Sequence, residues 1–338
     1  MGLNRLKENL SARFLKAKQG NRISIGLDWG FSSLKVVILE SGGNTYSVKD
    51  ARIIKLPSQE LNPVRDTKTP EGEAKISNGG SLSSLIKDLG LPGGVNLGIC
   101  GPNVIVRYIA MAKMNEDEVK NSLRYEAASH LPFPVEEVNL DGVILKDLPD
   151  NQILVMLAAA KKDFINQRLE VLQEAGIRVN ILDIDSLALI NAFNFNHPHT
   201  QENNILSGAV ALLNIGASVT NINILEDGIP HFSRDINVSA KDLSQEASRE
   251  MAIADFVGEI RKSFDYYEAG SATVINKIFL SGGGSLVSGF ASNLKDLLGI
   301  QIGQWDPFGN FEFNPNLDEA DIRKNSARFA VAVGLALR

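Results

Sequence analysis

Only one cysteine occurs in the 338 residues, Cys100 in Leu97-Gly98-Ile99-Cys100. That excludes an internal disulfide, and the thiol reads as a small buried hydrophobe. The four histidines lack metal-ligand spacing, and His197-Pro198-His199 reads as a solvated polar turn. No apolar run approaches the ~20 residues needed to span a bilayer, and no secretory signal pattern is visible. The cytoplasm is therefore the expected compartment. Excess charge is modest: 34 basic against 40 acidic residues leave −6, which gives no electrostatic reason to expect nucleic-acid binding. What is abundant is hydrophobic content, 44%, enough for a substantial core in two lobes.

Two segments about 185 residues apart share one design. Ile25 to Leu39 is an apolar run, a turn Asp28-Trp29-Gly30-Phe31-Ser32-Ser33, and a second run through Lys35. Ala209 to Leu225 repeats it around Asn214-Ile215-Gly216-Ala217-Ser218-Val219-Thr220. β-Branched runs with strand alternation predict two hairpins. Glycine at the turn permits close backbone approach, while hydroxyls and freed N–H groups can face an anion. A third segment, Ile275 to Ser285, is a buried-type strand running into Ser281-Gly282-Gly283-Gly284, followed by a helical pattern. Such a junction lets a phosphate or a flat ligand lie against the backbone. Taken singly, each turn also fits ordinary hairpin chemistry.

In order, the three turns resemble the phosphate-1, phosphate-2 and adenosine motifs of the actin-like ATPase superfamily. The middle of the chain narrows the likeness. Leu123-Arg124-Tyr125-Glu126 leads to Leu131-Pro132-Phe133-Pro134, and Phe232-Ser233-Arg234-Asp235-Ile236 precedes Glu259-Ile260-Arg261. The chain closes on Ala332-Val333-Gly334-Leu335-Ala336-Leu337-Arg338. This series is similar to the PilM family of type IV pilus assembly proteins, relatives of the cell-division protein FtsA, over most of residues 22 to 338.

The resemblance implies a duplicated, actin-like (RNase H-like) α/β fold of two lobes. Subdomain 1A would comprise 21–101, 179–205 and 325–338, and an FtsA-type subdomain 1C would occupy 102–178. Subdomain 2A would occupy 206–324. The 1C module reads β-α-β-β-α, at 103–111, 115–130, 137–147, 152–160 and 162–175; the prolines after Leu131 stop its first helix. Residues 1–20 carry Leu3, Leu6, Leu10 and Phe14 at helical spacing among basic residues. They form a basic amphipathic helix that packs on its own lobe, frays, touches a membrane surface weakly or docks on a partner. Residues 57–80, rich in proline and glycine, read as an exposed loop.

By the same resemblance ATP with Mg²⁺ would lie between the lobes. Asp28 would stand near Mg²⁺ and Lys35 near the β- and γ-phosphates, although a lysine beside a strand also fits a solvated edge charge. Gly30, Ser32 and Ser33 would line the first turn, and Asn214, Gly216, Ala217, Ser218 and Thr220 the second. Gly282, Gly283 and Gly284 would face the adenosine. Two departures stand out. The family places aspartate where this chain has Asn214, and an amide is uncharged and a poor proton acceptor. Only 22 residues, 237–258, separate the Phe232–Ile236 turn from the Glu259 helix, so subdomain 2B is expected as a stub holding one helix, about 240–268. Both departures point to a degenerate nucleotide site and little turnover.

Three functions follow. The first is a cytoplasmic scaffold at the inner membrane that captures the tail of a PilN-like membrane protein, with Val104, Val106, Leu123, Tyr125 and Phe133 as the contact and membrane association mainly indirect. Self-association stays open. The second is an active ATPase or ATP-gated filament former. The third, a sugar-kinase-type phosphotransferase, needs a carboxylate base at a cleft; the sequence shows no Asp in a kinase-type setting.

Overall fold

The computed structural model describes residues 22–42, 45–56, 82–197 and 208–338; the segments 1–20 and 57–80 lie outside the described residues. β1 (Arg22–Trp29), β2 (Ser33–Gly42) and β3 (Thr45–Lys55) form an antiparallel meander. A helix, α1 (Leu82–Lys87), leads to β4 (Val95–Ile99), which lies parallel to β1. β8 (Val179–Ile184) then lies parallel to β4, and α4 (Asp185–Asn196) follows it.

The second half repeats this plan. β9 (Ala209–Ile215), β10 (Thr220–Glu226) and β11 (Ile229–Ile236) form the meander. β12 (Ile275–Ser281) and β13 (Gln301–Gln304) add in parallel, joined by α7 (Phe290–Leu298). The strand orders are β3-β2-β1-β4-β8 and β11-β10-β9-β12-β13, with β14 (Glu312–Phe313) added outside β3. One topology occurs twice. β9 reads as a near-continuous apolar run because both faces of its sheet are covered, whereas β1 alternates apolar and small or polar residues and is buried from Ile25 to Trp29.

Between β4 and β8 the chain inserts a module of β5 (Val104–Ala112), α2 (Glu116–Ala127), β6 (Val138–Leu148), β7 (Gln152–Lys161) and α3 (Lys162–Glu174). Its sheet runs β5-β7-β6, all antiparallel. α2 starts on a capping box: the Asn115 side chain accepts from Glu118 N at 3.0 Å, and Glu118 accepts from Asn115 N at 2.8 Å. It buries Val119, Leu123 and Ala127, at four-residue spacing, on one face of the sheet. The sheet's other face turns toward the first lobe, where Val106 packs with Phe164, Ile165 and Ile184.

The single helix expected over 240–268 is divided. Ser239 caps a short α5 (Ala240–Ser244) by a box with Asp242; Gln245 then turns to an extended conformation, and a 3₁₀ turn precedes α6 (Arg249–Ala269). The capping box fixes where α5 starts, and neither proline nor glycine marks where it breaks. The interval 237–258 holds no β-strand.

After α8 (Glu319–Lys324) the chain crosses back. α9 (Ala330–Ala336) is buried on every side, against β1 and α4. A Cβ on Gly334 would fall 1.7 Å from the Ala188 carbonyl oxygen, so this helix crossing admits only glycine.

Candidate functional site

The two hairpins match in register: Asp28 stands opposite Lys35, and Asn214 opposite Asn221. Each turn closes on one backbone bond, Gly30 N to Ser33 O at 3.2 Å and Gly216 N to Val219 O at 3.0 Å. Gly282 adopts φ +80°, and a Cβ there would sit 2.5 Å from Ile215 O. The adenosine-like turn therefore lies against the second hairpin, and Gly282 N also donates to Ala327 O at 2.7 Å.

A cavity of about 610 Å³ opens between these turns. Ten of the residues expected for nucleotide line it: Asp28, Gly30, Ser32, Ser33, Lys35, Asn214, Gly216, Ala217, Gly282 and Gly283. Three do not. Thr220 is fully buried and donates to Val238 O at 2.7 Å, because its strand position points into the core of the second lobe. Gly284 packs against Ile215, and Ser218 is exposed outside the cavity.

Trp29 turns away from the cavity into the first lobe, where the Arg168 guanidinium stacks 4.2 Å from its ring and donates to its carbonyl at 3.3 Å. Phe31 lines the cavity and is 38% exposed. Bulk in this turn is thus divided between packing and cavity wall.

Lys35 Nζ lies 3.1 Å from Asp28 Oδ2, in surroundings that leave both largely enclosed. The lysine is therefore no free edge charge; its first partner is the carboxylate expected near Mg²⁺. Above the hairpins, Arg234 is fixed by Ser263 Oγ at 2.9 Å and Glu259 Oε2 at 2.7 Å. Burial raises the Asp235 carboxyl above its usual range, against a 2.9 Å bond from Asn221.

The sequence reading missed Asp185. It opens α4 at the C-terminal end of a parallel strand, where open α/β sheets receive their ligands. It lines the cavity, and its Oδ1 is enclosed without a hydrogen-bond partner. Desolvation first, and the Asp28 charge second, push its carboxyl up to about 7. The Cys100 thiol lies against it and is pushed well up by burial and by this carboxylate. The cleft thus has the enclosed carboxyl that the sequence analysis found lacking. The signal was its place, Ile184-Asp185-Ser186 at a strand-to-helix junction. Arg328, in a 3₁₀ turn before α9, also lines the cavity unanticipated.

These groups fit a phosphate better than a metal. Ser33 Oγ, enclosed and without a partner, faces the turn where a phosphate oxygen would supply an acceptor. On the metal side Asp28 is held by Lys35 and Asn214 is neutral. Among the described residues no group of three or more His, Cys, Asp or Glu is placed to hold a metal ion.

The partner residues separate. Leu123 is a correction: at 3% exposure it fills the module's own core over Gly142 and offers no surface. Val106 is covered by the first lobe, and Val104 is half-buried beside it. Tyr125, 85% exposed, faces solvent from α2, and Phe133 lies under the Lys161 ammonium at 4.3 Å.

Three known structures are similar to this chain to different degrees. The PilM–PilN type IV pilus biogenesis complex matches at a TM-score of 0.77 and 25% identity, over 93% of this chain and 98% of that one. A Bacteroides thetaiotaomicron protein of actin-like ATPase fold matches at 0.46 and 13% identity, covering 86% of this chain and 93% of that one. The cytoplasmic domain of EpsL, an inner-membrane component of the Vibrio cholerae type II secretion system, matches at 0.46 and 10%, covering 90% and 94%. The repeated strand order and the first of these matches give the chain an actin-like fold. The profile of the family described as type IV pilus assembly protein PilM matches residues 26–255 and 251–338. The chain belongs to the PilM family of type IV pilus assembly proteins. No helix among the described residues is long and apolar enough to cross a membrane.

Proposed function

We propose that this chain is a scaffold of the type IV pilus, or a related secretion, assembly platform that holds the cytoplasmic tail of a PilN-like protein at the inner face of the membrane. The likeness to a PilM–PilN complex supports the partner. The observation that carries the reading is an inequality between two regions. The inserted module is complete and meets the first lobe through a half-covered apolar junction. The cleft, by contrast, has an amide at position 214 and its remaining hairpin carboxylate tied to Lys35. With α5 and one 3₁₀ turn filling the interval before α6, subdomain 2B is reduced to a stub, and the base of a nucleotide would lack a rigid wall. Nucleotide then binds weakly, and hydrolysis is negligible.

Photo-crosslinkers spaced along the tail of the PilN-like protein, added to the full chain, test this. Crosslinks are expected on β5, β7, α3 and β8. Crosslinks confined to the second lobe would sink the assignment. A second reading, an ATP-gated protein, is favoured by the Gly30 and Gly216 turns, Ser33 and Asp185, which all line the cavity. Tight Mg²⁺-dependent ATP binding would favour it over the first.

A further inference from the structure

The cleft has a third wall that belongs to neither lobe. Val104, Ile105, Val106 and Arg107 line it in unbroken succession from β5, and Ser233, Arg234 and Asp235 do so from β11. Successive side chains of a strand point to opposite faces, so an unbroken run lines a cavity through the strand's edge. Both strands have such an edge: β5 ends the module's sheet, and β11 ends that of the second lobe. Cα atoms of the two come within 8 Å of each other, yet no backbone hydrogen bond joins them among the described residues. Paired strands stand about 4.5 to 5.5 Å apart, Cα to Cα. A third strand inserted between them would need roughly 9 to 10 Å. The gap is too narrow for an inserted segment, and the two edges stop short of pairing.

The cores decide which part can move. One apolar cluster joins the lobes: Val37 and Leu39 of the first and Leu212 and Phe279 of the second pack with α4 and α9. Rotating one lobe on the other would break that cluster. The module has a core of its own, around Ile109, Val119, Leu123 and Val155. It leaves the first lobe at Gly101, with φ +93°, and returns at Lys161, whose N–H donates to Asn103 O at 3.0 Å. Most of its apolar contact with that lobe is only partly buried. A narrow neck and a small interface permit rigid-body movement.

We propose that the cleft is closed by the inserted module rather than by the lobes, β5 moving onto β11 until the two edges pair and the sheets join. Closure satisfies main-chain groups that both edges otherwise leave unpaired. It goes beyond the scaffold reading and stands or falls apart from it, since tail binding does not require the two edges to meet.

Cysteine pairs in the full chain test this, with the native thiol removed by Cys100→Ala. Val104→Cys, Ile105→Cys and Arg107→Cys are each combined with Ser233→Cys or Asp235→Cys. A disulfide needs Cα atoms about 4.4 to 6.8 Å apart, which paired strands provide only for side chains in register. The pairs that oxidise are expected to share one register, and oxidation is expected to slow amide exchange about tenfold in both strands. All pairs oxidising alike would show loose proximity and overturn the proposal, and so would none oxidising. Hydrogen exchange on the unmodified chain gives a second reading. The outward amides of β5 and β11 are expected to exchange more slowly than those of β6, the module's other free edge. Equal exchange at the three edges would overturn closure even if every variant failed to fold.

Discussion

Asp28 and Asn214 occupy the same register position of two matching hairpins, seven residues before Lys35 and Asn221 respectively. The first half carries an ion pair across its turn. The second carries two amides, and Asn221 turns its own toward Asp235. The duplication is geometrically intact and electrostatically uneven. That difference bears on metal binding, since divalent-cation affinity follows the charge count of the ligands.

Asn214→Asp restores the second anion. It is expected to raise the Mg²⁺ dependence of ATP binding on the order of tenfold by adding one charged oxygen ligand, while turnover stays negligible. Calorimetry with ATP at several Mg²⁺ concentrations reads the first effect, and a phosphate-release assay the second. Robust turnover in this variant would show a site mutated at one position and otherwise whole.

Asp185 gives a pH dependence. Its carboxyl is held at about 7 in the fold against 3.8 unfolded, so the folded state keeps the proton longer. The contribution is therefore fully present below about pH 4 and is lost as pH rises through about 7. Asp185→Asn should stabilise the protein at pH 8.5, by up to about 4 kcal/mol at 1.36 kcal/mol per unit, and much less at pH 5. Thermal melts at the two values decide; an equal effect at both would mean the carboxyl titrates normally.

The crossing of α9 over β1 and α4 has no spare volume. Cβ atoms on Gly26 and Gly334 would lie 2.0 Å and 1.7 Å from the carbonyl oxygens of Ala332 and Ala188. Either alanine variant should cost about 3 kcal/mol or more through backbone displacement. Gly93→Ala, with nothing within 4 Å, is the control and should be near neutral. Chemical denaturation of the three variants checks the ranking.

For residues 1–20, which lie outside the described residues, the prediction comes from sequence. Each basic charge adds on the order of 1 kcal/mol near an anionic surface, and salt screens it. Liposome flotation of the full chain at physiological salt should be slight. Strong, salt-resistant flotation that disappears in a protein starting at residue 21 would identify a membrane anchor instead.

The two hairpins were legible because β-branched runs flank glycine turns at the same spacing, and the end of the module's first helix because prolines follow Leu131; the capping asparagine that starts that helix, Asn115, went unread. Thr220 and Gly284 were assigned to the cavity because proximity in sequence does not say which side of a strand or turn a residue faces. Leu123 looked like surface for the same reason: the apolar face of α2 is plain in the sequence, but what it packs on is not. Asp185 went unread because what shifts its carboxyl, enclosure in the folded cleft and the Asp28 charge, comes from parts of the chain distant in sequence. The helix break at Gln245 has no glycine or proline to announce it.

The scaffold account is tested most directly by titrating the tail peptide of the PilN-like protein into nucleotide-free full-length chain in a calorimeter. It predicts saturable one-to-one binding without nucleotide, and the same affinity after Mg-ATP is added. Binding that appears only with Mg-ATP, or none in either condition, would contradict it.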